Sequence, residues 1–141
     1  MPARILVVED NPANLELMRY LLEASGYALA IATDGKGALE AALRQRPDLV
    51  ICDIHLPDID GFEVLRRLRA LPGLASIAVV AVTALAMVGD RDRILAAGFT
   101  QYVSKPIEPE SFVQQVESLL PAGLRARVHA AAGPSSPDTA G

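Results

Sequence analysis

Apolar residues along this chain fall into two alternating patterns. Short runs occupy residues 5–8 (ILVV), 28–32 (ALAIA), 49–52 (LVIC) and 77–82 (IAVVAV), with QYV at 101–103 as a shorter candidate. Runs of this length, mostly too uniformly apolar for a sheet with one wet face, suit strands of a parallel sheet covered on both sides. Between and after them lie stretches whose apolar positions recur at helical spacing. The first opens with Asn11-Pro12, an N-cap followed by proline at the first helical position, and places Leu15, Met18, Leu21 and Leu22 on one stripe. Gly26 stops it as a left-handed C-cap. The second starts near Asp34-Gly35, shows Leu39, Ala42 and Leu43 on its apolar side, and ends before Pro47. The third follows Asp60, with Glu63 placed to complete a capping box and Phe62, Leu65 and Leu68 facing inward. The fourth covers residues 86–97 with weak periodicity, Met87, Ile94 and Leu95 surrounding a polar DRDR, and Gly98 closes it. The fifth begins at Pro109 and aligns Phe112, Val116, Leu119 and Leu120.

Strict strand–helix alternation predicts a doubly wound α/β domain with a five-stranded parallel sheet. Its expected extent is residues 1–121. Residues 122–141 (AGLRARVHAAAGPSSPDTAG) shift to Ala, Gly, Pro and Ser and read as a flexible tail or a linker. In such sheets ligands bind beyond the carboxyl ends of the strands, so function is to be sought there.

Composition narrows the classes. The 141 residues are 51% apolar and 21% charged, as in an ordinary globular domain; with aromatics at 4% and no Trp, the core must be aliphatic. A net charge of -4 argues against direct binding to DNA, which needs clustered cations. The single cysteine, Cys52, excludes an internal disulfide and a multi-cysteine metal site. No apolar stretch of about 18 residues and no signal pattern is present, so a cytoplasmic protein without a membrane segment is expected.

The strands deliver a specific set of groups at their ends. The first gives Glu9-Asp10, the third Asp53, the fourth Thr83 and the fifth Lys105, whereas Thr33-Asp34 after the second is better explained as a helix start. Carboxylates converging on one edge repel one another unless a cation lies among them. Hard oxygen ligands of this kind suit Mg²⁺ rather than zinc. A lysine and a hydroxyl beside such a site are what a transferring phosphoryl group requires, and a carboxylate there can act as nucleophile to form an acyl phosphate.

The motifs VVEDN, LVICDIHLPDIDG, VAVTA and YVSKP, in this order over residues 3–120, resemble the receiver domain of two-component response regulators. The resemblance implies a flavodoxin/CheY-like fold with strand order 2-1-3-4-5 and Asp53 as phosphoacceptor. It implies Mg²⁺ bound by Asp10, Asp53 and the backbone carbonyl of His55, with Glu9 acting mainly through a metal-bound water. Lys105 would pair with the phosphoryl group and Thr83 would donate to one of its oxygens. Tyr102 stands where the family keeps its aromatic switch, turning inward as Thr83 moves and altering the face formed by the fourth helix, fifth strand and fifth helix. The family often has a cis bond before the proline that follows its lysine, here Lys105-Pro106. The implied partners are a sensor histidine kinase or histidine phosphotransfer protein and a downstream protein effector, the chain being a monomer or weak dimer. It would not be an enzyme on an external substrate, though it would catalyse its own phosphorylation and dephosphorylation. His55 and Leu85 flank the path of the hydrolytic water, and a bulky Leu85 is expected to lengthen the phosphorylated lifetime. His129 is expected to be solvated and idle. Residues 80–98 also resemble the fourth-helix region of DivK-type single-domain receivers and of receivers in hybrid kinases. Alternatives are a receiver from a larger hybrid kinase or multidomain regulator, a pseudo-receiver, and a phosphatase of the aspartyl-nucleophile class. That last class places a second acid two residues after its nucleophile, where this chain has His55. A nucleotide binder is disfavoured, because Glu9-Asp10-Asn11-Pro12 follows the first strand in place of a Gly-rich loop.

Overall fold

In a computed structural model, residues 3–84 and 88–125 are described. Five strands, β1 (Arg4–Val8), β2 (Ala28–Ala32), β3 (Leu49–Asp53), β4 (Ala78–Thr83) and β5 (Gln101–Ser104), alternate with five helices. These are α1 (Pro12–Ala24), α2 (Gly35–Gln45), α3 (Gly61–Arg69), α4 (Asp90–Ala97) and α5 (Pro109–Glu117). The sheet is wholly parallel with order β2-β1-β3-β4-β5, the expected flavodoxin/CheY-like topology. Alternate residues of each strand enter opposite cores. Ile5, Val7, Leu49, Ile51, Val80 and Val82 pack with α1 and α5; Leu6, Val8, Val50, Cys52, Val79 and Ala81 pack with α2, α3 and α4. Two-sided burial is why β3 reads as an unbroken apolar run. Burial also pushes the Cys52 thiol far above its ordinary titration range, so it is inert packing.

Caps decide most helix starts. Asn11, Asp34 and Asp60 each accept the amide three residues on, at 3.0, 2.7 and 2.9 Å. Gly26 ends the α1 turn at φ 95°, as its position suggested, whereas α2 ends on Arg46 at φ 50°.

Four expectations change. Glu63 does not reach back to close a capping box; its carboxylate engages Arg66 and Arg67 instead, because a close cation outcompetes one more amide. Leu43 is exposed, and α2 packs through Ala38, Ala41 and Ala42, small residues that let the helix lie close to the sheet. The fourth helix begins at Asp90, four residues later than expected, after Gly89 at φ 94°. Strand β2, at the sheet edge, buries only Ala32 fully and leaves Ile31 exposed. Leu85, Met87 and His129, together with the rest of residues 126–141, lie outside the described residues.

Beyond α5 the chain continues as a 3-10 helix (Ala122–Leu124) that folds back on the start of β1. The Leu124 carbonyl accepts from the Ala3 amide at 3.1 Å, and the Arg125 guanidinium donates to the Glu117 and Leu120 carbonyls at 3.0 and 3.3 Å. No helix among the described residues is long and apolar enough to cross a membrane.

Candidate functional site

The parallel ladder brings the strand ends together. Val8 is registered with Cys52 and Asp53 with Val82, so the next residues along β1 and β3, Glu9 and Asp53, are neighbours. Strand spacing of about 4.8 Å dictates that adjacency. Asp10 follows Glu9, and carboxylate oxygens of Glu9, Asp10 and Asp53 lie within 4.8 Å of one another. Glu9 is completely buried, Asp53 nearly so, and Asp10 is exposed at the mouth.

Lys105 reaches in from the end of β5, 3.1 Å from Asp53 Oδ2 and 3.4 Å from Glu9. Its amide donates to the Thr83 carbonyl at 2.8 Å, tying β5 to β4, and the following Lys105-Pro106 bond is cis. Thr83 closes β4 with no solvent exposure. The His55 amide donates to Asp53 Oδ1 at 3.0 Å, so each Asp53 oxygen has a partner from a different part of the chain. The structure thus gathers Glu9, Asp10, Asp53 and Lys105 into one cluster with the His55 backbone at its rim.

The electrostatics are unbalanced. Burial and the neighbouring Asp53 push the Glu9 carboxyl up to about 7, against relief from the Asn11 amide and Lys105. Glu9 Oε1 is buried and, among the described residues, makes no hydrogen bond, its close cation being the Lys105 ammonium at 3.4 Å. An unsatisfied buried carboxylate oxygen among hard oxygen donors fits a small divalent cation such as Mg²⁺, and the donor chemistry does not fit zinc.

Tyr102 is half-buried against the core on the α4 side, with the Arg91 guanidinium 5.9 Å from its ring centroid. A groove of about 260 Å³, lined by Arg91, Gln101, Tyr102, Glu108, Ser111 and Gln115 among others, opens beside it. His55 is exposed and lines a cleft of about 370 Å³ with Ile54, Asp60, Phe62, Arg93 and Ala97. There Arg93 stacks 5.0 Å over Phe62.

Two residues beside the site carry more than their sequence context suggests. Asp58 reads as a surface loop acid, yet it accepts the Gly35 amide at 2.7 Å and the Lys36 amide at 2.9 Å, capping α2 across the chain. These donors hold its carboxyl down at about 2. Gly61 lies against the β3 end so closely that a Cβ would stand 2.6 Å from the Asp53 carbonyl and 2.8 Å from the Ile54 Cα. Nothing local in the sequence identifies the partners of Asp58.

Comparison with known proteins gives one answer. The family described as response regulator receiver domain matches residues 5–117. The polar-differentiation response regulator DivK of Brucella anthropi is 44% identical over 120 residues, which is 85% of this chain and 98% of that protein. The receiver domain of the sensor histidine kinase PA1611 of Pseudomonas aeruginosa, solved with a magnesium ion coordinated in its active-site cleft, is 34% identical. It superposes with a TM-score of 0.77 over 84% of this chain and 98% of its own. The chemotaxis response regulator CheY4 of Vibrio cholerae is 26% identical with a TM-score of 0.80, covering 85% of this chain and all of its own. With a family match across most of the chain and a relative at this identity, the chain belongs to the response regulator receiver domains of two-component signalling.

Proposed function

We propose that the chain is a phosphoacceptor switch that takes a phosphoryl group from a phosphohistidine, on a sensor histidine kinase or a histidine phosphotransfer protein, onto Asp53. The observation that carries this reading is the placement of Asp53. It is a nearly buried carboxylate at a strand end, 3.1 Å from the Lys105 ammonium and clustered with Glu9 and Asp10. An Asp53 oxygen forms the new O–P bond as the P–N bond breaks, and that bond's electron pair returns to the donor imidazole nitrogen. Asp10, Asp53 and the His55 backbone carbonyl would hold Mg²⁺, with Glu9 contributing mainly indirectly from beside them. Bound there, the cation supplies charge neutralisation for the transferring group. Lys105 and the Thr83 hydroxyl stabilise the phosphoryl oxygens from the protein side.

Output then passes through Tyr102. Thr83 is drawn toward the new oxyanion, Tyr102 turns into the space it vacates, and the α4-β5-α5 face changes for a downstream protein effector. Arg91 over the Tyr102 ring and the groove beside it are what that face offers in the present state. The chain acts on itself rather than on an external substrate. The folded domain reaches Arg125, because the 3-10 helix Ala122–Leu124 is tied back to Ala3, so the tail or linker expected from residue 122 would begin no earlier than residue 126.

Acetyl phosphate, or beryllofluoride, with Mg²⁺ tests the reading. A mass increase of one phosphoryl group, dependent on Mg²⁺ and lost in Asp53→Asn, is expected, together with a changed Tyr102 environment. Absence of any such adduct on the parent protein overturns the switch, and turnover of a small phosphate ester would favour a phosphatase instead.

A further inference from the structure

Residues 54–61 join β3 to α3 and carry the His55 carbonyl, so their path decides where that oxygen stands. The loop is closed at its two ends. The Ile54 amide donates to the Val82 carbonyl at 3.1 Å, the Gly61 amide donates to the Ile54 carbonyl at 2.8 Å, and Gly61 admits the Asp53 backbone against it. Its middle is fastened to a different part of the chain, the first turn of α2.

The first-turn amides of a helix have no i−4 partner within it, and in α2 those of Gly35, Lys36 and Gly37 each have a side-chain acceptor, Ala38 making the first i−4 bond. Gly37 donates to the Asp34 side chain at 2.7 Å and Ala38 to the Asp34 carbonyl at 3.0 Å. The remaining two, Gly35 and Lys36, donate to the two oxygens of Asp58, so α2 has one cap of its own and one lent by the loop. The next loop residue, Ile59, fills the space that a side chain at Gly35 would occupy. A Cβ there would stand 2.9 Å from Ile59 Cδ1 and 3.0 Å from Val64 Cγ2. Two hydrogen bonds and one packing contact therefore pin adjacent residues, 58 and 59, three and four positions beyond His55.

We propose that Asp58 is a positioning residue of the acidic site. By anchoring the loop on the Gly35 and Lys36 amides, it holds the His55 backbone carbonyl where that oxygen completes the ligand set for a divalent cation. The inference rests on the reading of the acidic cluster given above and adds a coupling to it: cation occupancy and the N-terminus of α2 are linked through one side chain. The depressed proton affinity of Asp58 agrees with a carboxylate held in place by two amides.

The test is Mg²⁺ titration of the full chain by calorimetry, with ¹⁵N NMR following the Gly35 and Lys36 amides. In Asp58→Ala the Kd for Mg²⁺ should rise about tenfold, the lower end of the range for groups that orient a metal's ligands. In the parent, Mg²⁺ should shift the Gly35 and Lys36 resonances, and Asp58→Ala should lose that response. Asp34→Ala is the control, because it removes the other cap of the same helix turn without touching the loop; its Kd should stay within about twofold of the parent. Should Asp58→Ala not fold, Asp58→Asn, which keeps one acceptor oxygen, should give an intermediate Kd. An Asp58→Ala or Asp58→Asn protein with the parent's Kd, or an Asp34→Ala protein weakened as much as Asp58→Ala, overturns the inference. Failure of the parent to bind Mg²⁺ at an Asp53-dependent site would instead remove the function on which it rests.

Discussion

Glu9→Gln exposes the electrostatic design of the site. In the folded chain the Glu9 carboxyl titrates near 7 rather than near its ordinary 4.5, mainly because it is buried and faces Asp53. Between those values the folded state keeps a proton that the unfolded chain has released. Stability therefore falls as pH rises through this window, and the loss is complete above about 7. At about 1.4 kcal/mol for each tenfold change in proton affinity, the full effect is about 3 kcal/mol. Water entering at the exposed Asp10 end screens the charge, so a loss of about 1–3 kcal/mol is expected. Asp58 and Glu63, both held at about 2, add little slope above pH 5, and the same slope to both proteins. Urea denaturation followed by circular dichroism at pH 5, 6, 7 and 8, with chelator present, measures the effect. The parent should lose stability across the series, and Glu9→Gln, neutral at every pH, should lose about 1–3 kcal/mol less. The variant should thus be the more stable protein at pH 8 and differ little at pH 5. Parallel pH profiles for the two proteins would refute the assignment of this charge cost to Glu9.

Other perturbations address neighbouring contacts. Lys105→Met removes the cation beside Asp53 and Glu9 and should cost about 2 kcal/mol or more at pH 8 without divalent cations, read by the same denaturation assay. The penalty should shrink at pH 5, where Glu9 is protonated. Gly61→Ala forces a Cβ onto the Asp53 carbonyl and the Ile54 Cα, neither of which is a side chain that can swing away. A loss of about 2 kcal/mol or more should appear in urea midpoints, with shifted Asp53 and His55 amide resonances in NMR spectra. Tyr27→Phe deletes the hydroxyl that donates to the buried Glu117 carboxylate at 2.5 Å. The expected cost is about 1.5–3 kcal/mol with no change in Mg²⁺ affinity, because this pair links the turn before β2 to α5, away from the acidic edge.

The sheet was legible because its signal is local and repeated. Runs such as ILVV and LVIC carry their own evidence of two-sided burial, and Asn11-Pro12, Asp34 and Asp60 announce helices from within three residues. Glu9, Asp10, Asp53 and Lys105 were legible as a group for a related reason, since parallel strands must all end on one edge. What resisted reading depends on competition or distance. Glu63 had an amide and two arginines within reach, and sequence order alone does not say which wins. Leu43 is exposed because the helix approaches through its alanines, a matter of fit against β-strands far away in the chain. Asp58 finds its donors 23 and 22 residues upstream, and no local pattern marks such a cap.

Charge counting accounts for an acid at the end of a buried strand. With all groups ionised, Glu9, Asp10 and Asp53 carry -3 and Lys105 carries +1, leaving -2 in a largely buried cluster. Glu9 relieves part of this by holding its proton to about pH 7. A bound divalent cation would offset the full -2 of the ionised cluster and so allow Glu9 to give up that proton. On the proposed reading, phosphorylation then replaces a singly charged carboxylate with a dianionic acyl phosphate and returns the cluster to about -1. On that reading the new charge would lie on oxygens that Lys105 alone does not satisfy, and Thr83, next after the Val82 that is registered with Asp53 on the adjacent strand, would supply a hydroxyl. On the proposed reading a cluster balanced in one covalent state would be unbalanced in the next, and the imbalance would fall at the junction of β4 with β5, where Tyr102 stands half-buried beneath Arg91. The rigid apolar strand matters for this reason. If β3 yielded, Asp53 would relax toward water and the added charge would be dissipated locally, whereas a strand buried at every position passes the demand for a donor to its neighbours.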